Sequence, residues 1–138
     1  MNISKILNRA CSTVCLLIVL FFVASSTMAQ TDSTPKKRLT SPATVKGLVG
    51  GESHDSYAIR AQKGQTLIVQ ISWVRKDDNR AEFTISRSAN FFNAESVKVG
   101  KESNNGKTWS GKISTTGNYY IYVVAHPSAK YTLKVTAR

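Results

Sequence analysis

The sequence predicts an all-β protein, an antiparallel two-sheet β-sandwich of seven or eight strands. From Ala43 onward, short stretches alternate apolar and polar side chains, and none shows a helical period. Turn residues separate these stretches, for example Gly50-Gly51, Lys63-Gly64 and Asn104-Asn105-Gly106. Each predicted strand therefore has one apolar face, and two sheets of such strands can close on each other.

Seven stretches carry the strand pattern. In chain order they are ATVKGLV from Ala43, DSYAIRA from Asp55, QTLIVQISWV from Gln65, AEFTISR from Ala81, KTWSGKI from Lys107, STTGNYYIYVVAH from Ser114 and KYTLKVTA from Lys130. A less regular stretch, residues 88–100, lies between the fourth and the fifth, and Pro127 separates the last two. The apolar side of the pattern supplies the predicted core, to which Trp73 and Trp109 belong.

The stretch STTGNYYIYVVAH, residues 114–126, has large apolar side chains on both of its faces. If Tyr119 and Ile121 face the core, Tyr120 and Tyr122 project from the opposite face of the sheet. Two such tyrosines can form an exposed aromatic surface that stacks on sugar rings or contacts a protein. In the alternative interpretation, they are cross-strand packing partners beneath a loop.

The first 29 residues have the pattern of a cleaved signal peptide. Lys5 and Arg9 form a basic start, residues 14–24 are an unbroken apolar run, and small residues precede a cleavage point after Ala29. The run is well short of the ~20 apolar residues that span a bilayer, so we expect no membrane span. The expected location of the protein is therefore periplasmic or secreted.

Cleavage removes both cysteines and 29 of the 138 residues, and it leaves 109, a length that suits one domain. Residues 30–42 are polar and contain two prolines and the basic run Lys36-Lys37-Arg38, so they predict a flexible basic leader. The single sandwich domain is expected to span residues 43–138. Since no thiol remains, we expect its stability to come from a packed core.

The chain that begins at Gln30 is strongly basic. It keeps 17 of the 19 Lys and Arg side chains, because Lys5 and Arg9 are lost, against 8 acidic ones, which gives a net charge of +9. Such a protein is attracted to anionic surfaces such as lipopolysaccharide, teichoic acid or acidic glycans. Nucleic acid would attract it equally, but we expect an exported protein not to meet that partner.

The sequence lacks side chains with the spacing of an active site or a metal site, so we expect neither an enzyme nor a cofactor. His54 and His126 are not spaced as metal ligands. His54 has Ser and Asp neighbours, but sequence neighbours rarely provide the geometry of a catalytic triad, and His54 is predicted to be a turn residue. The run Asp77-Asp78 is flanked by basic residues and is expected to be a solvated loop.

Two segments carry a resemblance to a known family. Residues 47–72, GLVGGESHDSYAIRAQKGQTLIVQIS, combine a glycine-bearing first strand, an Asp-x-Tyr entry to the second and a Lys-Gly-Gln turn into a long third. Residues 109–138 contain a small-residue-Gly-x-Tyr turn and a closing Tyr-x-Leu-x-Val strand. This order resembles the bacterial pre-peptidase C-terminal type domain, which implies a β-sandwich over about residues 43–138.

Within that layout the chain is similar to the periplasmic inhibitors of goose-type and invertebrate-type lysozymes, whose Ser-Gly-x-Tyr loop enters the lysozyme cleft. The matching positions are Thr116, Gly117, Asn118 and Tyr119, with threonine in place of serine. The resemblance implies that the hydroxyls of Thr116 and Tyr119 meet carboxyl groups of the cleft, while Gly117 allows close approach. A glycan- or envelope-binding module stays open as an alternative, in which Gly117 only shapes a turn and Tyr119 only belongs to the core.

Overall fold

The structure is a computed structural model that describes residues 30–138, so the predicted signal peptide, residues 1–29, lies outside the described residues. The described chain forms nine strands and one single-turn 3-10 helix, Phe91–Asn93. The strands are β1 (Lys36–Leu39), β2 (Ala43–Gly50), β3 (Asp55–Ala61), β4 (Thr66–Trp73), β5 (Arg80–Ser86), β6 (Lys101–Ser103), β7 (Thr108–Lys112), β8 (Gly117–His126) and β9 (Ser128–Ala137). Between Gln30 and Arg138, no helix is long and apolar enough to cross a membrane.

The strands form two sheets, in the orders β1-β3-β8-β5 and β2-β9-β4-β7-β6. Neighbouring strands are antiparallel except β1 and β3, which are parallel. The predicted two-sheet β-sandwich is confirmed. The seven predicted stretches correspond to β2–β5 and β7–β9, and the additional strands are β1 and the short β6.

The core between the sheets is built from the alternating apolar positions that the sequence predicts. Tyr119 and Ile121 of β8 face inward and lie opposite Ile59 and Tyr57 of β3, so these four side chains form one continuous apolar layer. The largest fully buried apolar side chains of this core are Tyr57, Ile59, Leu67, Val69, Ile113, Tyr119, Ile121, Val123, Leu133 and Val135. Burial of this apolar surface is the main contribution to the stability of the fold.

Trp109 is more deeply buried in this core than the other tryptophan of the chain, Trp73. Its side chain is buried, whereas Trp73 is half-buried. The indole of Trp109 lies against the backbone of two glycines, and a Cβ atom placed on Gly111 would come within 2.5 Å of its Cη2. A Cβ atom on Gly100 would come within 2.4 Å of its Cε2. Glycine at both positions therefore lets the indole fill the space between β7 and the preceding loop.

Residues 30–42, which the sequence predicts to be a flexible leader, instead supply a strand. Residues 36–39 form β1, whose backbone pairs in parallel with β3. Side chains along a strand alternate between its two faces, so the basic run is split between them. Lys36 and Arg38 lie on the outer face of the sheet, and Lys37 lies on the core side. There the ammonium of Lys37 lies 3.8 Å from Asp55 Oδ1.

Asp32 explains why this segment is attached to the sandwich. Its side chain is only 1% exposed, and its carboxylate accepts hydrogen bonds from Thr34 N at 2.9 Å, Phe91 N at 3.2 Å and Lys36 Nζ at 3.2 Å. Burial alone would raise the pKa of Asp32, but the hydrogen bonds from Thr34, Phe91 and Lys36 outweigh it and hold that pKa well below its ordinary value. A buried carboxylate so bonded stabilises the leader in one position.

His54 belongs to the same cluster and is more than a turn residue. Its side chain is almost fully buried, and its ring stacks on Phe91 with the centroids 4.1 Å apart. His54 Nε2 lies 3.3 Å from Asp32 Oδ1, without the alignment of a hydrogen bond. The imidazole therefore faces a carboxylate 22 positions away rather than the adjacent Asp55, so the neighbouring residues do not form a triad.

A hydrogen-bonded chain of three side chains closes one edge of the core. The Tyr131 hydroxyl donates to Asp55, and the hydroxyls of Tyr57 and Tyr131 lie 2.6 Å apart. Since Tyr131 gives its only hydrogen to Asp55, Tyr57 is the donor of the second bond. Burial, with the hydrogen bonds to Asp55 and Tyr57, raises the pKa of Tyr131 far above its ordinary value.

Candidate functional site

The turn that the sequence singles out lies between β7 and β8. Thr116 is exposed in this turn, and Gly117 and Asn118 are half-buried at the start of β8. Tyr119 follows with only 2% of its surface exposed and with its ring in the core. The turn therefore offers a partner the Thr116 side chain and the backbone beyond it, but not the ring of Tyr119.

Both hydroxyls that the resemblance assigns to the partner are bonded within the chain. Thr116 Oγ1 accepts a hydrogen bond from Lys63 N at 2.9 Å, which leaves its own hydrogen able to reach a partner. The Tyr119 hydroxyl donates to Thr115 O at 2.9 Å. The expectation that Tyr119 presents its hydroxyl is therefore corrected, because this tyrosine braces the turn from inside.

Arg87 is a functional candidate that the sequence analysis missed. Its guanidinium lies over the Tyr119 ring, 4.6 Å from the centroid, and its Nη1 donates to Asn118 O at 2.9 Å. Such a position combines a cation–π contact with a hydrogen bond. Arg87 reaches the turn because of the register between β5 and β8. Ser86, the last residue of β5, lies opposite Tyr120, so Arg87 comes to lie beside the turn. No signal in the sequence fixes that register.

Gly117 is required by the position of Arg87. Its φ is +151°, which side-chain-bearing residues rarely adopt, and an added Cβ atom would lie 2.9 Å from Arg87 Nη2 and 3.0 Å from Arg87 Nη1. Any larger residue would therefore strain the backbone and displace the guanidinium. Gly117 allows the arginine to lie flat against the turn.

Positive charge surrounds the turn. Arg87 lies on one side of it, Lys63 follows β3 and bonds Thr116 through its backbone N–H, and Arg60 lies opposite Asn118 in the register of β3 and β8. All three cationic side chains are exposed. In the part of the chain that the structure describes, none of the three lies within 4.0 Å of a carboxylate oxygen. The arrangement is thus suited to an acidic partner.

Tyr122 does not contribute to an exposed aromatic surface. It is 1% exposed, its hydroxyl donates to Ser88 O at 2.8 Å, and its ring meets the edge of Phe91 at 5.5 Å between centroids. Burial and the negative charge of Asp32 raise the pKa of Tyr122 to about 12. The alternative interpretation of a packing partner beneath a loop therefore applies to Tyr122, whereas Tyr120 is half-buried.

The acidic run Asp77-Asp78 lies between two strands that belong to different sheets. The loop with Asp77 and Asp78 is held by Asn79, whose side-chain amide donates to Val74 O at 3.0 Å and Ser128 O at 3.2 Å. Residues 30–138 contain no group of three or more His, Cys, Asp or Glu side chains arranged to hold a metal ion. This loop serves to connect β4 and β5.

No family model matches the chain, and no curated protein matches it significantly. Solved structures of other proteins, however, are similar to this chain. PliG of Aeromonas hydrophila, a periplasmic lysozyme inhibitor of g-type lysozyme, is similar with a TM-score of 0.60 and 22% identity, over 75% of this chain and 96% of that one. The pre-peptidase C-terminal domain of a Bacillus anthracis collagenase has a TM-score of 0.54 and 17% identity, over 78% of this chain and 100% of that one.

A second inhibitor of g-type lysozyme, PliG of Salmonella Typhimurium, has a TM-score of 0.52 and 18% identity, over 75% of this chain and 98% of that one. Both kinds of neighbour have the β-sandwich layout that the sequence resemblance suggests, which is thereby confirmed. At such low identity the likeness establishes the fold.

Proposed function

We propose that this protein is an exported, non-enzymatic inhibitor of a goose-type lysozyme, and that the turn at residues 115–118 occupies the substrate cleft. The observation that carries the proposal is an exposed turn, braced from within, with Lys63 and Arg87 in direct contact with it. The similarity of the fold to two inhibitors of g-type lysozyme supports the same conclusion.

The internal bracing of the turn favours binding because little conformational freedom is left to lose. Thr116 is held by Lys63, Asn118 by Arg87, and the Tyr119 hydroxyl bonds back to Thr115. Ordering a flexible loop on binding costs free energy, and a loop that is ordered beforehand avoids that cost. A rigid projection is the shape that blocks a cleft.

The chemistry of the turn matches that of a glycosidase cleft, where carboxyl groups flank the bond that is cleaved. The Thr116 hydroxyl would donate a hydrogen bond to one of these groups, and the charge of Arg87 would attract the other. Tyr119 acts indirectly, as the surface on which Arg87 rests. Inhibition then follows from occlusion and needs no reaction.

The net charge indicates which lysozymes are suitable targets. A protein of net charge +9 repels a strongly cationic lysozyme at long range, which slows encounter. A goose-type lysozyme with a neutral or acidic cleft rim is therefore the favoured target. Export to the periplasm, which the predicted signal peptide at residues 1–29 would direct, places the inhibitor beside the cell wall that such enzymes attack.

A cell-wall clearing assay tests the proposal. The protein spanning residues 30–138 is added to goose-type, invertebrate-type and chicken-type lysozymes, and we expect it to slow the goose-type enzyme. Gly117→Ala should weaken this inhibition about tenfold or more, because the new Cβ atom displaces Arg87.

Gly106→Ala is the matched control. Gly106 also has a positive φ, +74°, but no atom lies within 4 Å of the added Cβ, so the variant places alanine at a positive-φ glycine without touching Arg87. We expect it to inhibit like the wild type. If the goose-type lysozyme is not slowed at micromolar protein, the proposed function is wrong. If it is slowed but the two alanine variants inhibit equally, the proposed role of the turn is wrong.

A further inference from the structure

A second cationic feature lies beside the turn, on the outer face of the four-stranded sheet. It is a cavity of about 240 Å³ between β1, β3 and the start of β8. Arg38, Ala58 and Arg60 line the cavity, and Asn118 lines it at the end next to the turn. Because paired residues on neighbouring strands point to the same side of a sheet, both arginines belong to one surface.

The charge of Arg38 is left without a structural role. Of the three basic residues in the run, Lys36 pairs with Asp32 and Lys37 approaches Asp55. Arg38 and Arg60 are exposed, and among residues 30–138 neither has a carboxylate oxygen within 4.0 Å. Two unpaired guanidinium groups at one cavity provide the planar donors that a carboxylate accepts.

The cavity is held in place from both sides. β1 positions Arg38 through its backbone pairing with β3. Just beyond β1, Ser41 Oγ accepts from Ala137 N at 2.7 Å and donates to Ala137 O at 3.1 Å, which fixes the segment to the other sheet. The cavity wall from the leader is therefore bonded to both sheets.

The cavity is continuous with the turn, since Asn118 belongs to both. A protein that reaches Asn118 from the turn therefore lies at the edge of the cavity. We propose that the Arg38–Arg60 cavity receives an acidic side chain from the rim of the lysozyme cleft, as a second contact beside the turn; this inference rests on the proposed function. Two such cations speed encounter with an acidic rim and hold the complex in one orientation.

The test compares two double variants that each remove two positive charges. Arg38→Gln/Arg60→Gln changes the cavity. Lys46→Gln/Lys134→Gln changes two exposed lysines on the outer face of the five-stranded sheet, which is the opposite side of the molecule. Inhibition of the goose-type lysozyme is measured at low and high salt. Circular dichroism and the urea midpoint verify that both variants are folded.

We expect the cavity variant to inhibit about tenfold or more weakly than the wild type, and its inhibition to depend less on salt than that of the wild type. The lysine control should stay within about threefold of the wild type. Arg38→Lys/Arg60→Lys keeps the charge but not the fork of donors, so it should lie between the wild type and the glutamine variant.

The outcomes separate this inference from the proposed function. If the wild type inhibits and the two glutamine variants are weakened equally, only net charge matters and the cavity contact is wrong. If the cavity variant inhibits like the wild type but no longer binds a heparin column, the cavity takes an anionic glycan and the protein contact is again wrong. If the wild type inhibits no lysozyme, the proposed function fails and this inference falls with it.

Discussion

Replacing Tyr131 by phenylalanine removes one oxygen atom from the hydrogen-bonded chain at the edge of the core. In the wild type, Tyr57 donates to Tyr131 and Tyr131 donates to Asp55. After the change, the hydroxyl of Tyr57 has lost its acceptor, although Tyr57 is completely buried. The carboxylate of Asp55 has lost a donor, and with 23% of its side chain exposed, water replaces only part of that bond.

The size of the effect follows from these two losses. A hydrogen bond to a charged group contributes about 2 kcal/mol, and a buried hydroxyl left without a partner costs about 1–3 kcal/mol. We therefore expect Tyr131→Phe to lower the free energy of unfolding by about 3–4 kcal/mol. Tyr57→Phe removes only a bond between neutral groups and should cost about 1 kcal/mol.

The double variant gives the sharpest test of this reasoning. Once Tyr131 is phenylalanine, changing Tyr57 as well removes the stranded hydroxyl, so the second substitution should cost nothing further or restore about 1 kcal/mol. Urea unfolding of residues 30–138, followed by tryptophan fluorescence, measures all three variants, and equal slopes make the midpoints comparable. Additive costs, or a Tyr131→Phe cost no larger than that of Tyr57→Phe, would refute the proposed direction of the hydrogen bonds.

Two further variants test the core and the leader. Trp109→Ala should lower the free energy of unfolding by about 3–5 kcal/mol, because the indole is 6% exposed and fills the space between two glycine backbones. An unchanged urea midpoint would place this side chain outside the core. Asp32→Asn tests acid stability: since the pKa of Asp32 is lowered in the folded protein, its contribution is complete above the ordinary pKa of about 4 and is lost as the pH falls below it. Wild-type stability should therefore decline below about pH 4 more steeply than that of Asp32→Asn, and parallel curves would contradict the buried position of Asp32.

The sequence predicts the sandwich well because alternation is a local property. Ile59, Leu67 and Leu133 each stand in a period of two, and each is buried as predicted. The order of the strands depends instead on which edges meet across long distances in the chain, and alternation carries no such information. The strand of residues 117–126 shows this limit, since both of its faces are apolar and only its neighbours decide which tyrosines are buried.

The strand β1 could not be predicted for a related reason. Its sequence, KKRL, has no apolar alternation, and it is held by backbone pairing and by the buried carboxylate of Asp32. That carboxylate accepts from Phe91, 59 positions further along the chain. A lone aspartate in a polar segment gives no indication that it will be buried.

The resemblance selects residues 116–119 as the binding turn, and the structure shows the conformation of these residues without testing that role. Thr116 is exposed in the turn and Gly117 begins β8. Tyr119 does not face a partner, because the alternation of β8 places its ring in the core. Arg87 lies beside the turn because β5 and β8 are neighbouring strands, and no sequence motif predicts that these two strands pair.

The parallel strand β1 also has a consequence for the rest of the sheet. β3, which it covers, has four consecutive buried residues, 56–59, and would otherwise expose a row of unpaired backbone groups at the edge of the sheet. Such an edge invites pairing with another chain, whereas β1 is short and carries three cationic side chains. The leader thus replaces the edge of the seven-residue β3 by that of a four-residue basic strand, a change that disfavours pairing of this edge with another chain.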